Sequence, residues 1–396
     1  MNFDQNIERR GTASIKWDLL GKIFGARADE DCLPLWVADM DFLAPEAVIT
    51  ELKNRVDHGV FGYSFADDEF WQIAVAYIQR HYHWEVEPDW LNTTPGIVPA
   101  LSAAVAAFCK PGDKVMSFTP AYGPFFDVSE ENGCDFVDLP LKVDEKGQAS
   151  IDFAAMEKAV DESCRLFLLC SPHNPSGRVW SREELTRIGD FCIQHDLILI
   201  SDEIHADFLY DGRSSLSIAS LDPRYAERSM TCFAPSKTYN IAGLGASIIV
   251  IPNPELKARF DKEKNRRHLN GDLLSLTALK AAWSQGDEYL QELLVYLQAN
   301  RDVAFEQINA CPGLKAALPE ATYLLWIDCR ELMQQKGFSS QDELSDFFVH
   351  QAKVCLNPGT FFGAHGEGFV RLNFGCPRAR LLEALRRIRE ASERML

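Results

Sequence analysis

Positive charge is in short supply in this 396-residue chain, in which 40 Lys and Arg residues face 58 Asp and Glu residues. The formal net charge of −18 at pH 7 argues against a nucleic-acid partner and against an anionic membrane surface, because both would repel the protein. Long apolar runs are missing too. The longest, around Val98–Phe108, is far shorter than the roughly 20 residues of a membrane-spanning helix. The N-terminus is too polar for a signal peptide. We therefore expect a soluble, cytoplasmic protein.

Cys-x-x-Cys pairs are also absent, although the chain contains 11 cysteines. Neither a zinc knuckle nor a redox dithiol is therefore predicted. The odd number, and the apolar stretches around Cys109, Cys170 and Cys192, favour reduced and mostly buried thiols, which fit the cytoplasm. His81 and His83 have no third candidate ligand nearby in the sequence, so we expect no metal site.

Several familiar catalytic motifs do not occur. We find neither a Gly-x-Ser-x-Gly elbow nor a phosphate-binding P-loop. The glycine-rich stretch Gly243–Ile248 lacks the third glycine of a dinucleotide fingerprint, and it precedes a predicted strand instead of opening a helix. The function must therefore rest on other residues.

The order of predicted elements indicates an α/β protein with two domains. Short apolar runs alternate with helical segments from Lys110 onward, which is typical of a mostly parallel sheet covered by helices on both faces. After about residue 285 a smaller α+β pattern follows. We predict a large three-layer αβα domain over residues 47–286 and a small domain formed by residues 1–46 and 287–396. The predicted strands are Lys114–Phe118, Leu166–Cys170, Leu197–Ile200, Met230–Ala234, Ala246–Ile251, Tyr323–Asp328 and Phe369–Phe374.

Helices are predicted from apolar periodicity and from their start signals. Ser181-Arg-Glu-Glu184 has the pattern of a capping box, so a helix should begin there and run to about His195. Other predicted helices run from Pro45 to His58, Asp67 to Tyr82, Glu288 to Gly313 and Gln341 to Gln351, with a last one at the C-terminus.

Four polar residues lie just beyond the carboxyl ends of predicted strands: Tyr122, Asn174, Asp202 and Lys237. Ligands of open α/β sheets bind at that end of the strands. If the strands are neighbours, the four side chains converge on one crevice. The alternative is that the four are unrelated loop residues. Each one alone would be a common loop residue, but all four together in such positions are less readily explained in this way.

Lys237 lies on a polar connection between two apolar strands. Burial lowers the pKa of a lysine ammonium and makes the amine available to form a Schiff base with a carbonyl cofactor. An ordinary surface lysine is the alternative. With a pyridine-ring aldehyde in the crevice, Asp202 would pair with the ring nitrogen and keep it protonated, Asn174 would donate to the ring oxygen, and Tyr122 would stack on the ring.

Two further features suit such a cofactor and an amino-acid substrate. Gly96 precedes an Ala-rich helix whose first amide groups can bind a phosphate, although a plain helix cap is the alternative. Arg371, in the strand Val370–Asn373, offers the planar guanidinium that binds a carboxylate in bidentate fashion. Chemistry at Cα or Cβ of an amino acid would follow, with Lys237 as acid and base.

These residues also carry a family resemblance over essentially the whole chain. The motifs Asn174-Pro-x-Gly177, Asp202–His205, Ser236–Thr238 and Val370–Asn373 resemble those of fold-type I, aspartate-aminotransferase-like pyridoxal-phosphate enzymes. Within that class, Trp36–Phe42, Ser201–Asp207 and Ser236–Ile241 are similar to the MalY/PatB-type cystathionine β-lyases.

The resemblance implies a homodimer with sites at the subunit interface, where Tyr63 would reach the neighbouring subunit's phosphate. It also implies roles for the site residues. The catalytic residues would be Lys237, Tyr122 and Asp202. The substrate would contact Arg371, Asn174, Trp36 and Val37. Pyridoxal 5′-phosphate would be held by Gly96, Ile97, Val98, Tyr122, Asn174, Asp202, His205, Ser236, Lys237 and Tyr63.

Three departures from the broader aminotransferase pattern favour the lyase branch. Gly245 stands where an arginine is usual, and Ala234 stands where a serine is usual. Phosphate binding would then depend on Ser236, Tyr63 and the amides of residues 96–98. His205 replaces the tyrosine that many aminotransferases place beside the ring oxygen.

The favoured function is therefore a carbon–sulfur β-lyase, that is, a cystathionine or cysteine-S-conjugate β-lyase of amino-acid metabolism. It would release a thiol, with pyruvate and ammonia as the other products. A thiolate is a good leaving group because a thiol pKa lies near 8.5. An aminotransferase of the same fold is the first alternative. The second is a non-catalytic pyridoxal-phosphate protein with a regulatory role, which the carboxylate-binding Arg371 argues against.

Overall fold

A seven-stranded sheet organises the larger part of the molecule, for which a computed structural model describes residues 1–25, 28 and 31–394. Six of its strands run parallel, and Ser247–Val250 is antiparallel to both of its neighbours. The predicted mostly parallel sheet is thus confirmed. In spatial order the strands are Leu91–Thr94, Ser247–Val250, Ser229–Phe233, Ile198–Asp202, Cys164–Cys170, Lys114–Thr119 and Asp135–Pro140.

Both faces of this sheet are covered, which makes the predicted three-layer arrangement. The inner strand Cys164–Cys170 shows why: Leu166 and Leu168 pack into one apolar core, while Phe167 and Leu169 pack into another on the opposite face. The sequence of a strand with two buried faces is a continuous apolar run, because both sets of alternating side chains must be apolar.

The longer helices follow their apolar periodicity and their capping residues. The predicted capping box is confirmed, because the Ser181 hydroxyl accepts from the Glu184 amide and the Glu184 carboxylate accepts from the Ser181 amide. The longer helices are Glu46–Asp57, Asp68–Tyr82, Ile97–Phe108, Pro124–Glu131, Arg182–Gln194, Pro254–Arg266, Leu273–Gln285, Asp287–Asn309 and Arg378–Glu393. Shorter ones are Ile15–Asp18, Leu20–Ile23, Phe153–Ala159, Pro223–Ala226, Pro235–Thr238, Arg330–Lys336 and Gln341–Asp346.

A second, antiparallel sheet of four strands lies in the C-terminal part of the chain, with the order Lys315–Ala316, Leu324–Asp328, Phe369–Asn373 and Asn357–Pro358. Two-residue strands form two further pairs, Leu33–Pro34 with Val354–Cys355 and Lys142–Val143 with Ala149–Ser150. The seven-stranded sheet falls within residues 47–286 and the four-stranded sheet within 287–396. The domain boundaries themselves stay a prediction.

Two predicted elements differ from those observed. Lys237, expected on a polar connection, lies in the short helix Pro235–Thr238, which proline opens because its fixed φ suits the first helical position. The helix predicted from Gln341 to Gln351 is α-helical only to Asp346 and continues as a π-helical turn over Phe347–Gln351. The helices Pro254–Arg266 and Leu273–Gln285 are additions to the predicted set.

Ten of the eleven cysteines are buried and Cys109 is half-buried. Burial raises the pKa of thiols such as Cys170, Cys192 and Cys232, so these groups stay protonated at neutral pH. In the described part of the chain, none of the helices combines the length and apolar character that crossing a bilayer would require.

Candidate active site

One large cavity, with a volume of about 1040 Å³, opens at the carboxyl ends of the central parallel strands. Every site residue predicted above lines it except Tyr63. The residues that the structure brings together there are Trp36, Val37, Gly96, Ile97, Val98, Tyr122, Asn174, Asp202, His205, Ser236, Lys237 and Arg371.

Lys237 projects into this cavity from the short helix that follows the strand Ser229–Phe233. Its Nζ donates to the carbonyl oxygen of Ala38 at 2.7 Å. Burial lowers the pKa of the ammonium to about 8, and the positive charge of Arg371 acts in the same direction, whereas Asp39 and Asp202 oppose it. Near neutral pH a larger fraction of this amine is thus unprotonated than in an ordinary lysine, and the unprotonated amine is the form that acts as a nucleophile.

Asp202 ends the strand Ile198–Asp202, and its carboxylate accepts from the amide of Ile204 at 3.2 Å. Burial raises the pKa of this carboxyl to about 6, which the Ile204 amide and the charge of Lys237 only partly offset. A cationic group placed against Asp202 would bring the pKa down again. The site therefore favours a ligand that presents a positive charge at this point.

His205 lies three residues further on in the same turn and is also buried. Its Nδ1 has no hydrogen-bond partner among the residues that the structure describes. Burial, with the nearby charges of Lys237 and Arg371, lowers the pKa of the imidazole to about 3. A neutral ring with an unused polar atom thus faces the cavity, and a buried polar atom of this kind calls for a ligand partner.

Arg371 lies in the strand Phe369–Asn373 of the second sheet, only 2% exposed. One terminal nitrogen donates to Asn174 Oδ1 at 3.0 Å, and the other donates to the carbonyl oxygen of Trp36 at 2.9 Å. Burial lowers the pKa of the guanidinium to about 10, so it remains charged at neutral pH. A buried guanidinium whose present partners are neutral oxygens can bind an incoming carboxylate by donating hydrogen bonds to it.

The opposite end of the cavity is built for an anion. Gly96, with φ of +124°, precedes the helix Ile97–Phe108, whose first residues, Ile97 and Val98, line the cavity. The unpaired amide groups at a helix start can bind an anion. Gly245 faces this turn with φ of +54°, and a Cβ on it would come within 3.0 Å of the carbonyl oxygen of Pro95. A side chain at 245 would therefore be strained by the positive φ and would crowd the Pro95 carbonyl.

Tyr122 and Tyr63 occupy different environments. Tyr122 is half-buried in the cavity, and burial raises the pKa of its hydroxyl. Tyr63 is fully exposed and lies away from the cavity of its own chain, in a stretch that also exposes Val60, Phe61 and Phe65. The role of Tyr63 in a neighbouring subunit's site stays a prediction.

The structure adds residues that sequence reasoning did not assign to the site. The Tyr323 hydroxyl donates to the carbonyl oxygen of Ala38 at 2.9 Å, and the Asn373 amide donates to Val37 and Asp39 carbonyl oxygens at 2.5 and 2.6 Å. These bonds fix the segment 36–39 that forms one wall. Asn373 lies two residues after Arg371 in the motif Val370–Asn373, and this position was the available signal in the sequence.

Apolar residues from the N-terminal part of the chain also line the mouth of the cavity, namely Ile15, Ile23 and Phe24. The sequence carries little periodic signal for them, because the helices Ile15–Asp18 and Leu20–Ile23 are only one turn long. On the described residues, no cluster of His, Cys, Asp or Glu suited to a metal ion is found.

The donor set fits pyridoxal 5′-phosphate. Lys237 could bond its aldehyde, Asp202 its protonated ring nitrogen, and the amides after Gly96 its phosphate. The unused His205 Nδ1 and the space kept open by Gly245 agree with this fit. Fold and site together define the class of fold-type I, pyridoxal-phosphate-dependent enzymes.

Within this class, the profile of the aminotransferase class I and II family matches residues 30–388. The chain belongs to that family. It is 44% identical to cystathionine beta-lyase PatB of Bacillus subtilis over 99% of this chain and 100% of that protein. It is 32% identical to protein MalY of Escherichia coli over 96% of each chain.

A solved structure extends the similarity to three dimensions. Cystalysin from Treponema denticola, whose crystal structure contains a pyridoxal 5′-phosphate cofactor, superposes with a TM-score of 0.94 at 34% sequence identity. The match covers 98% of both chains. The predicted fold class is therefore confirmed, as is the family resemblance.

Proposed function

We propose that the protein is a pyridoxal-phosphate-dependent carbon–sulfur β-lyase that cleaves L-cystathionine or related cysteine S-conjugates. The observation that carries this proposal is one cavity in which the amine of Lys237 shares its walls with Asp202 and Arg371. Similarity to cystathionine beta-lyase PatB over nearly the whole chain selects the lyase reaction among those open to the family.

Each end of the cavity has a binding task. Arg371 holds the substrate carboxylate, with Asn174 and the Trp36 carbonyl fixing the orientation of the guanidinium. The amides after Gly96 and the Ser236 side chain would hold the cofactor phosphate. Asp202 and Asn174 would bind the ring nitrogen and the ring oxygen, and Tyr122 would stack on the ring. Pyridoxal phosphate, when bound, supplies the electron sink for the carbanion at Cα.

The elimination needs a base and a leaving group. Lys237 Nζ, released when the substrate amine takes its place on the cofactor aldehyde, would accept the α-proton, which its lowered pKa allows near neutral pH. The Cβ–S bond then breaks and its electron pair leaves with sulfur as a thiolate, which takes up a proton. Water hydrolyses the remaining three-carbon unit to pyruvate and ammonia, so that one thioether and one water give one thiol, one pyruvate and one ammonia.

The working form that we propose is a cytoplasmic homodimer with shared sites, whose small-molecule substrate is an amino-acid thioether. The exposed apolar side chains Val60, Phe61 and Phe65 around Tyr63 support an interface at this position, since a contiguous apolar patch of this kind favours association. Tyr63 would then contribute its hydroxyl to the phosphate site of the partner.

The test is to incubate the purified protein with L-cystathionine, and separately with an amino acid plus a keto acid, while following thiol, pyruvate and newly formed amino acid. We expect thiol and pyruvate without any added keto acid. Lys237→Ala is the control and should lose both turnover and the visible absorbance of lysine-bound cofactor. Formation of a new amino acid alone would instead identify an aminotransferase. A cofactor-loaded protein with neither activity would have a regulatory role.

A further inference from the structure

A buried carboxylate surrounded by hydroxyl groups lies directly behind Lys237. Asp207 Oδ2 accepts from Thr238 Oγ1 at 2.6 Å and from the Tyr77 hydroxyl at 2.9 Å, and Asp207 Oδ1 accepts from the Tyr82 hydroxyl at 2.8 Å. The Tyr239 hydroxyl lies 3.2 Å from that of Tyr77. We call these five residues the Asp207 cluster. None of them lines the cavity described above.

The cluster joins the two short segments that carry the ring-facing groups of the site. Thr238 follows Lys237 in the helix Pro235–Thr238. Asp207 ends the turn that begins after Asp202 and contains His205. A single short hydrogen bond, from Thr238 to Asp207, therefore links the lysine to the wall that bears Asp202 and His205.

A third element anchors this link. Tyr77 and Tyr82 come from the helix Asp68–Tyr82, and the ring of Tyr77 stacks on Trp283 with centroids 4.5 Å apart. Burial is the main cause that raises the pKa of both tyrosines well above its usual value, so both remain protonated donors. The carboxylate is thus held from three directions by side chains that have little freedom to rotate.

Such a cluster contributes little net free energy to the stability of a fold, because the carboxylate loses its hydration. The Asp207 side chain is only 3% exposed, and its nearest basic group is His81 Nδ1 at 3.9 Å. Among the described residues no Lys or Arg forms an ion pair with this carboxylate, so its burial costs free energy that the three hydroxyl hydrogen bonds partly offset. An apolar side chain would carry no such cost. Hydrogen bonds to a charged acceptor are, however, short and directional, which suits the precise placement of a neighbouring group.

We propose that Asp207 is a positioning residue, which through Thr238 fixes the Lys237 amine relative to Asp202 and His205. This inference rests on the proposed role of Lys237. It adds that the placement of the amine depends on a hydrogen bond outside the cavity, made by residues that contact neither cofactor nor substrate. A displacement of about 1 Å at a reacting group is enough to lower a rate about 100-fold.

The test compares Thr238→Val, which keeps the shape of the side chain but removes the hydroxyl, with Thr238→Ser, which keeps the hydroxyl. Both are measured as cofactor-loaded full-length protein. The readouts are kcat and KM for thioether cleavage, and the pH midpoint of the visible absorbance of the lysine-bound cofactor. Tyr225→Phe is the matched control, because it removes a tyrosine–carboxylate bond of 2.8 Å, to Asp190, remote from Lys237.

We expect Thr238→Val to lower kcat about 10- to 100-fold with little change in KM, and to move the absorbance midpoint by about half a pH unit or more. Thr238→Ser should stay within about twofold of the natural protein in kcat. Tyr225→Phe should lower the thermal midpoint while leaving kcat and the absorbance midpoint unchanged. Asp207→Asn, which weakens all three acceptor bonds, should resemble Thr238→Val.

If Thr238→Val matches Tyr225→Phe, with a lower thermal midpoint and an unchanged absorbance midpoint, the positioning role is refuted and the cluster is structural only. The same conclusion follows if Thr238→Ser fails as completely as Thr238→Val. A natural protein that shows neither the absorbance band nor thiol release would instead refute the proposed function itself.

Discussion

The buried carboxyl of Asp202 predicts an unusual stability effect in the protein stripped of cofactor. Its pKa rises from 3.8 to about 6 on folding, chiefly because of burial. Each pKa unit corresponds to about 1.4 kcal/mol, so the ionised carboxylate destabilises the folded state by about 3 kcal/mol once the pH is well above 6. Since the folded state holds the proton more tightly, the free energy of unfolding falls as the pH rises from about 4 through 6.

Asp202→Asn removes this ionisation while keeping an oxygen to accept from the Ile204 amide. In urea unfolding of cofactor-free protein at one protein concentration, we expect Asp202→Asn to be more stable than the natural protein by up to about 3 kcal/mol at pH 8. At pH 5 the gain should shrink to about half of that value, because much of the folded-state carboxyl is then protonated.

The matched control is Asp135→Asn, which changes an exposed aspartate at the edge of the same sheet and should have little effect on stability. With cofactor bound, the order should reverse, since a protonated ring nitrogen would pair with the Asp202 carboxylate. An equal or lower stability of cofactor-free Asp202→Asn at pH 8, or a gain that does not shrink by pH 5, would refute the reasoning.

Three further outcomes are expected. Arg371→Lys loses bidentate carboxylate binding and should raise KM about 10- to 100-fold while the cofactor absorbance stays unchanged; an unchanged KM would place the substrate carboxylate elsewhere. Gly245→Ala strains a residue at φ +54° by about 1 kcal/mol and crowds the Pro95 carbonyl, so cofactor affinity measured by equilibrium titration should fall. The control Gly243→Ala, at a position with open space around it, should leave the affinity unchanged. Mixed and refolded Lys237→Ala and Tyr63→Ala subunits should recover about a quarter of natural activity if sites are shared, since half of the dimers then have one complete site; no recovery would contradict sharing.

The sheet was predictable from the sequence because its strands are buried on both faces. Runs such as Leu166–Cys170 are apolar at every position, and their spacing between helical segments indicates parallel order. The one antiparallel strand, Ser247–Val250, carries no such signal, because its direction is set by the connection that precedes it and by its register with Thr94. The short helix at Pro235 was missed for a related reason: a four-residue helix has no periodicity to detect.

The polar residues of the site were predictable because strand ends converge, and the family resemblance indicated Trp36 and Val37, but the hydrogen bonds of the wall formed by residues 36–39 were not predictable. That wall is backbone: the carbonyl oxygens of Trp36, Val37, Ala38 and Asp39 accept from side chains far away in the sequence. Any residue type offers a carbonyl, so composition gives no sign of such contacts. Tertiary packing alone decides which carbonyl meets which donor.

The charged groups of the cavity share one property that explains how the site can be both stable and reactive. Burial favours the neutral form of each group. It lowers the pKa of Lys237 to about 8 and that of Arg371 to about 10, and it raises the pKa of Asp202 to about 6. Each charge therefore costs stability in the cofactor-free protein, and each is matched by a complementary group on cofactor or substrate. Binding relieves a cost already present in the fold, so the stability gained on cofactor binding should exceed what the same contacts would give at an exposed site. The part of this excess that comes from Asp202 should disappear in Asp202→Asn, where the carboxylate cost is absent from the start. Calorimetric unfolding with and without cofactor measures this difference directly.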